Sequence, residues 1–88
     1  MRQMHYVYLL RSINSPQQRY VGYTADLKAR LASHNRGESQ HTSKFMPWEL
    51  ETFIAFHDEV SARSFEAYLK KGSGQAFANK RLWTRNAT

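Results

Sequence analysis

The chain has 88 residues, and its thirteen Lys and Arg against seven Asp and Glu give a formal net charge of +6. Typical domains contain about 100–150 residues, so we expect one small domain over residues 1–88. The absence of cysteine excludes a disulfide framework, a thiolate zinc site and a cysteine nucleophile. The longest apolar run, residues 6–10, is far shorter than the ~20 residues of a membrane span, and no signal-peptide cleavage site follows it. We therefore expect a soluble cytoplasmic domain with no membrane partner.

The positive charge is concentrated in two parts of the sequence. Residues 1–44 carry a net charge of +5 and the residues after Glu66 carry another +5, whereas residues 45–66 carry −4. Such a balance on a small domain raises the local concentration of polyanions, with nucleic acid first among them. The alternative is a solvated surface that keeps the protein soluble and binds nothing specific. Charge alone leaves both interpretations open.

Hydrophobic patterning and helix caps predict the secondary structure in chain order. Residues 4–11 are mostly aromatic and apolar, which is typical of a buried strand, and a turn around Pro16 joins them to a second short strand. The predicted elements are strands over 4–11 and 19–23, a helix from 24–26 to about Asn35 that stops at Gly37, a polar loop over 36–47, a strand over 48–57, a helix over 59–71 stopped by Gly72-Ser73-Gly74, and a helix from 75 to about 84. The order β-β-α-β-α-α predicts an α+β domain with a small three-stranded antiparallel sheet flanked by helices.

The first predicted helix carries two polar side chains on the shoulder of its apolar face. Arg30 and His34 lie one turn apart beside Leu27 and Leu31. They either face the edge of the sheet, or Arg30 covers the core with its aliphatic part while His34 caps the helix end.

Glu66 has a similar position in the second predicted helix, whose apolar stripe is Ala62, Phe65 and Leu69. One interpretation is an ordinary ion pair with Lys70, one turn further on. The other is a single carboxylate ligand for a hard cation such as Mg²⁺, which takes one or two carboxylates and completes its coordination with water and phosphate.

Four tyrosines crowd the predicted hairpin. Alternation places Tyr6 and Tyr8 on one face of the first strand, and Tyr20 and Tyr23 on opposite faces of the second. Most strand tyrosines are packing residues with a hydrogen-bonded hydroxyl, so none of these positions is diagnostic by itself.

These positions belong to a longer ordered set of residues. The set is Tyr6-Val7-Tyr8-Leu9-Leu10, Tyr20-Val21-Gly22, Thr24, Leu27, Arg30, His34-Asn35, Pro47-Trp48, Glu66 and Tyr68-Leu69-Lys70-Lys71-Gly72. This set resembles the GIY-YIG endonuclease family over roughly residues 4–82, and the sequence looks like one of the small stand-alone bacterial members. Tyr6 stands where the first family motif has Gly, and Val21 stands where the second has Ile.

The resemblance implies metal-dependent hydrolysis of a phosphodiester, with DNA as the partner and one Mg²⁺ or Mn²⁺ as the cofactor. Glu66 would hold the cation, and Arg30 would bind the non-bridging oxygens of the scissile phosphate. Tyr8 would position or deprotonate the attacking water, and Tyr20 would hydrogen-bond the phosphate or the water. His34 would either share proton transfer or orient Tyr8, and the sequence leaves both roles open.

Further residues follow from the same resemblance. Gly22 would let the backbone turn closely beside the site because it has no Cβ. Tyr6 is a further candidate site residue, as is Asn79, which could match an Asn in the last helix of larger family nucleases. We expect low sequence specificity, because 88 residues leave no room for a separate DNA-recognition domain. Backbone phosphates would be bound by Arg36, Lys44, Lys70 and Lys71.

Two other classes of function stay open from the sequence. The first is a nucleic-acid-binding module that is catalytically weak or inactive, although binding alone needs neither Glu66 nor paired tyrosines. The second is an interaction protein that uses exposed Trp48 and Trp83.

Overall fold

The computed structural model describes residues 3–84 and confirms the predicted α+β architecture. The three strands form one antiparallel sheet in the order β2-β1-β3, so the first strand is central. The elements are β1 (His5–Ser12), β2 (Arg19–Thr24), α1 (Leu27–Asn35), a short 3-10 helix (Ser43–Phe45), β3 (Trp48–Phe56), α2 (Glu59–Leu69) and α3 (Gly72–Arg81). No helix among residues 3–84 is long and apolar enough to cross a membrane.

Side-chain alternation along β1 divides the core into two clusters, one on each face of the sheet. Val7 and Leu9 are fully buried in a cluster with residues of α2 and α3. Tyr8 and Leu10 point the other way and pack with residues of α1 and with Trp48. Since successive side chains of a strand alternate between faces, β1 supplies both halves of the core. The first helix therefore covers one face of the sheet, and the other two helices cover the opposite face.

The predicted start and end of α1 are confirmed by its caps. The Asp26 carboxylate accepts a hydrogen bond from the backbone N–H of Ala29 at 3.1 Å, which satisfies one of the free amides of the first turn. Gly37 follows the last turn with a φ of +76°, a conformation that suits glycine.

The boundary between α2 and α3 differs from the prediction. The second helix ends at Leu69, and α3 begins at Gly72, so Gly72-Ser73-Gly74 start the last helix instead of interrupting the chain. Gly74 is buried where α3 approaches α2, and a Cβ there would overlap the backbone carbonyl of Tyr68. Gly74 is therefore needed for close packing of the two helices. Sequence patterning cannot distinguish a glycine with this role from one that ends a helix.

Trp48 and Trp83, which the interaction-protein alternative requires to be exposed, are buried. Trp48 is 4% exposed and Trp83 is 9% exposed, each in one of the two core clusters. The last helix ends at Arg81, and the backbone N–H of Trp83 returns to the carbonyl of Ala78 at 3.0 Å. The interaction-protein interpretation therefore loses the feature on which it depended.

Candidate active site

The Tyr8 hydroxyl is the centre of a group of polar side chains on the α1 face of the sheet. Arg30 Nε donates a hydrogen bond to it at 3.2 Å, and His34 Nε2 lies 2.9 Å from it. Both partners come from α1, one turn apart, as the helical spacing predicts. His34 is fully buried, so its side chain points into the molecule and does not cap the helix end. The structure thus brings together three of the residues predicted from the sequence.

The opposite side of the His34 ring is held by Thr42, which the sequence did not single out. His34 Nδ1 lies 2.6 Å from Thr42 Oγ1, and Thr42 is fully buried although it lies in the polar loop after α1. The Thr42 backbone carbonyl in turn accepts a hydrogen bond from Trp48 Nε1 at 2.8 Å. Both ring nitrogens of His34 therefore have partners, and the ring is fixed against the Tyr8 hydroxyl.

The Asn35 side chain connects the end of α1 to the start of β3. Its side-chain amide donates to the Trp48 carbonyl at 3.0 Å and accepts from the Trp48 backbone N–H at 2.6 Å. This pair of bonds fastens the helix end to the strand, beside the loop that carries Thr42.

Burial and nearby charge determine the protonation states of His34 and Tyr8. Burial, reinforced by the positive charge of Arg30, lowers the pKa of His34 to about 4, so the imidazole is neutral at pH 7. Burial raises the pKa of the Tyr8 hydroxyl, while the hydrogen bond from Arg30 acts in the opposite direction. The site at pH 7 therefore contains a protonated phenol beside a neutral imidazole that can accept its proton.

We expect the free energy of unfolding to fall by about 2 kcal/mol between pH 7 and pH 5, because of His34. The folded state keeps His34 neutral down to a pKa of about 4, whereas an unfolded histidine binds a proton at about 6.5. The unfolded state then binds more protons in this window, so stability is present above about pH 6.5 and is lost as the pH falls.

Urea unfolding at several pH values measures this loss, and His34→Gln should give a flatter dependence on pH. Equal slopes for the wild type and the variant between pH 7 and pH 5 would contradict the assignment. Carboxyl groups titrate mainly below about pH 5, outside this window.

The second strand completes the site with Tyr20 and Gly22. The Tyr20 ring lies edge-on to the His34 ring, with 5.1 Å between the centroids, and 6.2 Å from the Tyr8 ring centroid. Gly22 pairs with Tyr8 across the sheet, and a Cβ at this position would overlap the Tyr8 hydroxyl and ring. The absence of a side chain at Gly22 leaves the space that the Tyr8 phenol occupies. Tyr23 packs in the other core cluster, so the two tyrosines of β2 lie on opposite faces as predicted.

Glu66 in α2 and Lys70, the C-cap residue of that helix, lie near the edge strand that carries Tyr20. Lys70 Nζ donates to Glu66 Oε2 at 3.0 Å, and the same ammonium lies 6.0 Å from the centroid of the Tyr20 ring. The negative charge of Glu66 is one of the contributions that raise the pKa of Tyr8. The ion pair predicted as the structural interpretation is therefore present, and Glu66 is near enough for its charge to act on the Tyr8 hydroxyl.

The donor set around Glu66 fits one way of holding a divalent cation. Among residues 3–84 no three His, Asp or Glu side chains form a group that could hold a metal ion. Mg²⁺, however, is commonly held by one or two carboxylates and completed by water and substrate phosphate. The Glu66 side chain is 20% exposed and can supply one such carboxylate oxygen. The residues present fit an open site of this kind and do not form a closed cage.

The other predicted residues lie outside this group. Tyr6 packs edge-on against Phe53, with 5.9 Å between ring centroids, and lines a separate apolar hollow. Asn79 accepts a hydrogen bond from Arg19 at 3.0 Å, and no hydrogen bond joins it to Glu66 within residues 3–84. The remaining predicted cations are spread over the surface: Arg36 is paired with Glu38, Lys44 lies near the Phe45 ring, and Lys71 is the N-cap residue of α3.

The sheet order, the two strand tyrosines and the Arg–His pair on the first helix together define the GIY-YIG class of nuclease domains. The model of the GIY-YIG catalytic domain matches residues 4–81, and the chain belongs to this family. Among its relatives, the chain is similar to a UPF0213 protein of Streptococcus pyogenes serotype M3, with 39% identity over 67 residues that cover 75% of this chain and 71% of the relative. A UPF0213 protein of the M5 serotype shows the same identity and coverage.

A solved structure gives the same result for the fold. The solution NMR structure of a UPF0213 protein from Bacillus halodurans superimposes with a TM-score of 0.52 and 28% identity. The match covers 88% of this chain and 81% of that chain.

Proposed function

We propose that this protein is a metal-dependent endonuclease that hydrolyses DNA phosphodiester bonds with low sequence specificity. The observation that carries the proposal is the Tyr8 hydroxyl held between a guanidinium at 3.2 Å and a neutral imidazole at 2.9 Å. Membership of the GIY-YIG family supports the class of reaction. A structural tyrosine needs only one hydrogen-bond partner, whereas this hydroxyl has a cation on one side and a proton acceptor on the other.

Arg30 is the group we assign to the phosphate. It lies at the surface of the site, while Tyr8 is only 2% exposed beneath it. A guanidinium matches two phosphate oxygens at once, and it stabilises the charge that accumulates on the non-bridging oxygens as water attacks. Tyr20, which is partly exposed beside it, would donate its hydroxyl hydrogen to the same phosphate or to the water.

Tyr8 and His34 are the groups we assign to proton transfer. The attacking water gives a proton to the Tyr8 oxygen while the Tyr8 proton passes to His34 Nε2, which leaves the phenol unchanged and the imidazole protonated. His34 Nε2 is available to receive the proton because the imidazole is neutral at pH 7, although its pKa of about 4 makes it a weak base. Since His34 is fully buried, it acts through Tyr8 and does not touch the water itself.

Glu66 is the residue that would hold the divalent cation, Mg²⁺ or Mn²⁺. When bound, the cation would neutralise charge on the scissile phosphate and on the departing oxygen. Lys70 now pairs with the Glu66 carboxylate at 3.0 Å and would be released toward the nucleic acid when Glu66 binds a metal.

Glu66→Gln is expected to lower cleavage at least about 100-fold, because the variant keeps the size of the side chain and loses the charge that binds the metal. The measurement is nicking and cleavage of single-stranded, duplex and branched DNA, and of RNA, in Mg²⁺ or Mn²⁺ and in EDTA.

Glu59→Gln is the matched control for this experiment. Glu59 lies on the same helix and forms the same type of ion pair, with Arg63 Nε at 2.7 Å, but is not part of the site. It should leave cleavage unchanged. A wild type that binds DNA and cleaves nothing with either metal would favour the binding module, and equal activity in all three proteins would exclude Glu66 from the reaction.

A further inference from the structure

A cleft of about 490 Å³ lies beside the candidate active site, between β2 and the two C-terminal helices. Its walls include Arg19, Gln75, Asn79 and Trp83, none of which is among the hydrogen-bond partners of the Tyr8 hydroxyl within residues 3–84. It shares Tyr20 and Lys70 with the candidate active site. The lining combines two cations, two amides and aromatic surface, and it contains no carboxylate.

The Arg19 guanidinium is held in a fixed orientation over this cleft. It lies 4.6 Å from the centroid of the Trp83 ring, and its Nη2 donates to Asn79 Oδ1 at 3.0 Å. Stacking on an aromatic ring holds the plane of a guanidinium and leaves its edge free to bind two oxygens of an anion. The Arg19 side chain is therefore preorganised to bind an anion.

Two guanidinium groups lie over the Trp83 ring, and they differ in whether a carboxylate neutralises them. Arg11 also lies over the Trp83 ring, at 5.6 Å, and its Nε pairs with Glu51 at 2.5 Å. The Glu51 carboxylate is further occupied by the backbone N–H and the hydroxyl of Thr84. Arg19 takes part in none of the ion pairs formed within residues 3–84. Burial and the charge of Arg11 lower the pKa of Arg19, while the charge of Glu51 acts in the opposite direction, and a bound anion would offset the repulsion between the two guanidinium groups.

We propose that this cleft binds a backbone phosphate of the nucleic acid strand, next to the scissile phosphodiester, with Arg19 as the phosphate ligand. The inference rests on the proposed function and specifies how its substrate is held. Arg19 and Tyr20 are successive residues of an edge strand, so a strand of nucleic acid that crosses this edge contacts both. Guanidinium, ammonium and amide donors suit phosphate oxygens, and contacts to phosphates carry no sequence information directly, in keeping with low sequence specificity.

Arg19→Gln tests the cleft through binding, without the need for cleavage. In EDTA, we measure the anisotropy of a fluorescein-labelled single-stranded DNA oligonucleotide over a series of salt concentrations. The variant should bind about tenfold more weakly at low salt. The plot of the logarithm of the association constant against log salt should become less steep by about 0.7, the contribution of one phosphate contact on a single strand. Arg19→Lys, which keeps the charge, should retain most of the slope.

Arg63→Gln is the matched control. Like Arg19, Arg63 stacks on an aromatic ring, 4.1 Å from the Tyr23 ring centroid, but it pairs with Glu59 and lies outside the cleft. It should change affinity less than twofold. In ¹H–¹⁵N spectra of the wild type, the same oligonucleotide should shift the Asn79 side-chain amide and the Trp83 indole N–H.

The outcomes separate this inference from the proposed function. An Arg19→Gln variant with wild-type affinity and salt dependence overturns the proposal that the cleft binds phosphate, even if the wild type cleaves DNA in Mg²⁺. Binding that depends on Arg19 in a protein that cleaves nothing supports the cleft and overturns the nuclease proposal. A wild type that binds no oligonucleotide overturns both.

Discussion

Arg30→Ala is expected to lower the rate of DNA cleavage by about 100- to 1000-fold, the usual cost of losing one donor to transition-state charge. The variant removes both the phosphate ligand and the hydrogen bond from Arg30 Nε to the Tyr8 hydroxyl. Its effect on folding should be small, because Arg30 is only partly buried and the Tyr8 hydroxyl keeps His34 as a partner. Single-turnover cleavage at saturating enzyme measures the chemical step apart from binding.

Lys28→Ala is the control on the same helix. Lys28 is an exposed residue of α1, and its removal changes the net charge by the same amount. It should cleave at nearly the wild-type rate. Arg30→Lys should still be strongly impaired, because an ammonium has the charge without the planar fork of donors. Wild-type cleavage by Arg30→Ala would remove Arg30 from the mechanism.

Gly22→Ala is expected to destabilise the fold by about 1–3 kcal/mol and to abolish cleavage, since overpacking of a filled core has costs of this size. The new Cβ would overlap the Tyr8 hydroxyl and approach Tyr20 Cε2 to 2.9 Å. Tyr8 lies in the central strand and is 2% exposed, so its ring has little room to move. Thermal unfolding and the cleavage assay together measure the two effects.

Gly72→Ala separates this steric effect from the general effect of replacing glycine. Gly72 is exposed in the first turn of α3, and a Cβ there would meet no atom within 4 Å apart from its chain neighbours and the backbone of its own helix. The variant should be as stable as the wild type or more stable by up to about 1 kcal/mol, because alanine is the better helix former. If both glycine variants unfold at the same temperature, the overlap of a Cβ at position 22 with Tyr8 does not destabilise the fold.

The elements of the fold were predictable where local rules decide the structure. The Asp26 cap, the turn at Gly37 and the alternation along the first hairpin all depend on neighbours in the sequence. The glycines at 72–74 were misinterpreted because their role depends on how closely two helices pack. The burial of Trp48 and Trp83 was not predictable for a similar reason, since burial at the end of an element depends on what folds over it.

The same distinction applies to the site. Helical spacing predicted that Arg30 and His34 share a face, and the family resemblance assigned both to one catalytic site with Tyr8. Thr42 could not be predicted, because its contact with His34 depends on the path of an irregular loop that gives no periodic signal. The pairing of Arg19 with Asn79 joins residues 60 positions apart and exists only once α3 has packed beside β2.

The loop between α1 and β3 has a consequence for where this chain can tolerate insertions. Surface connections usually accept extra residues, and the exposed hairpin loop around Pro16 and Gln17 fits that rule. The loop over 36–47 does not, because Thr42 inside it is fully buried and Trp48 at its end is clamped by Asn35. Its length is therefore constrained like that of a core element, and homologues should vary in length at the hairpin while they preserve the spacing from His34 to Trp48.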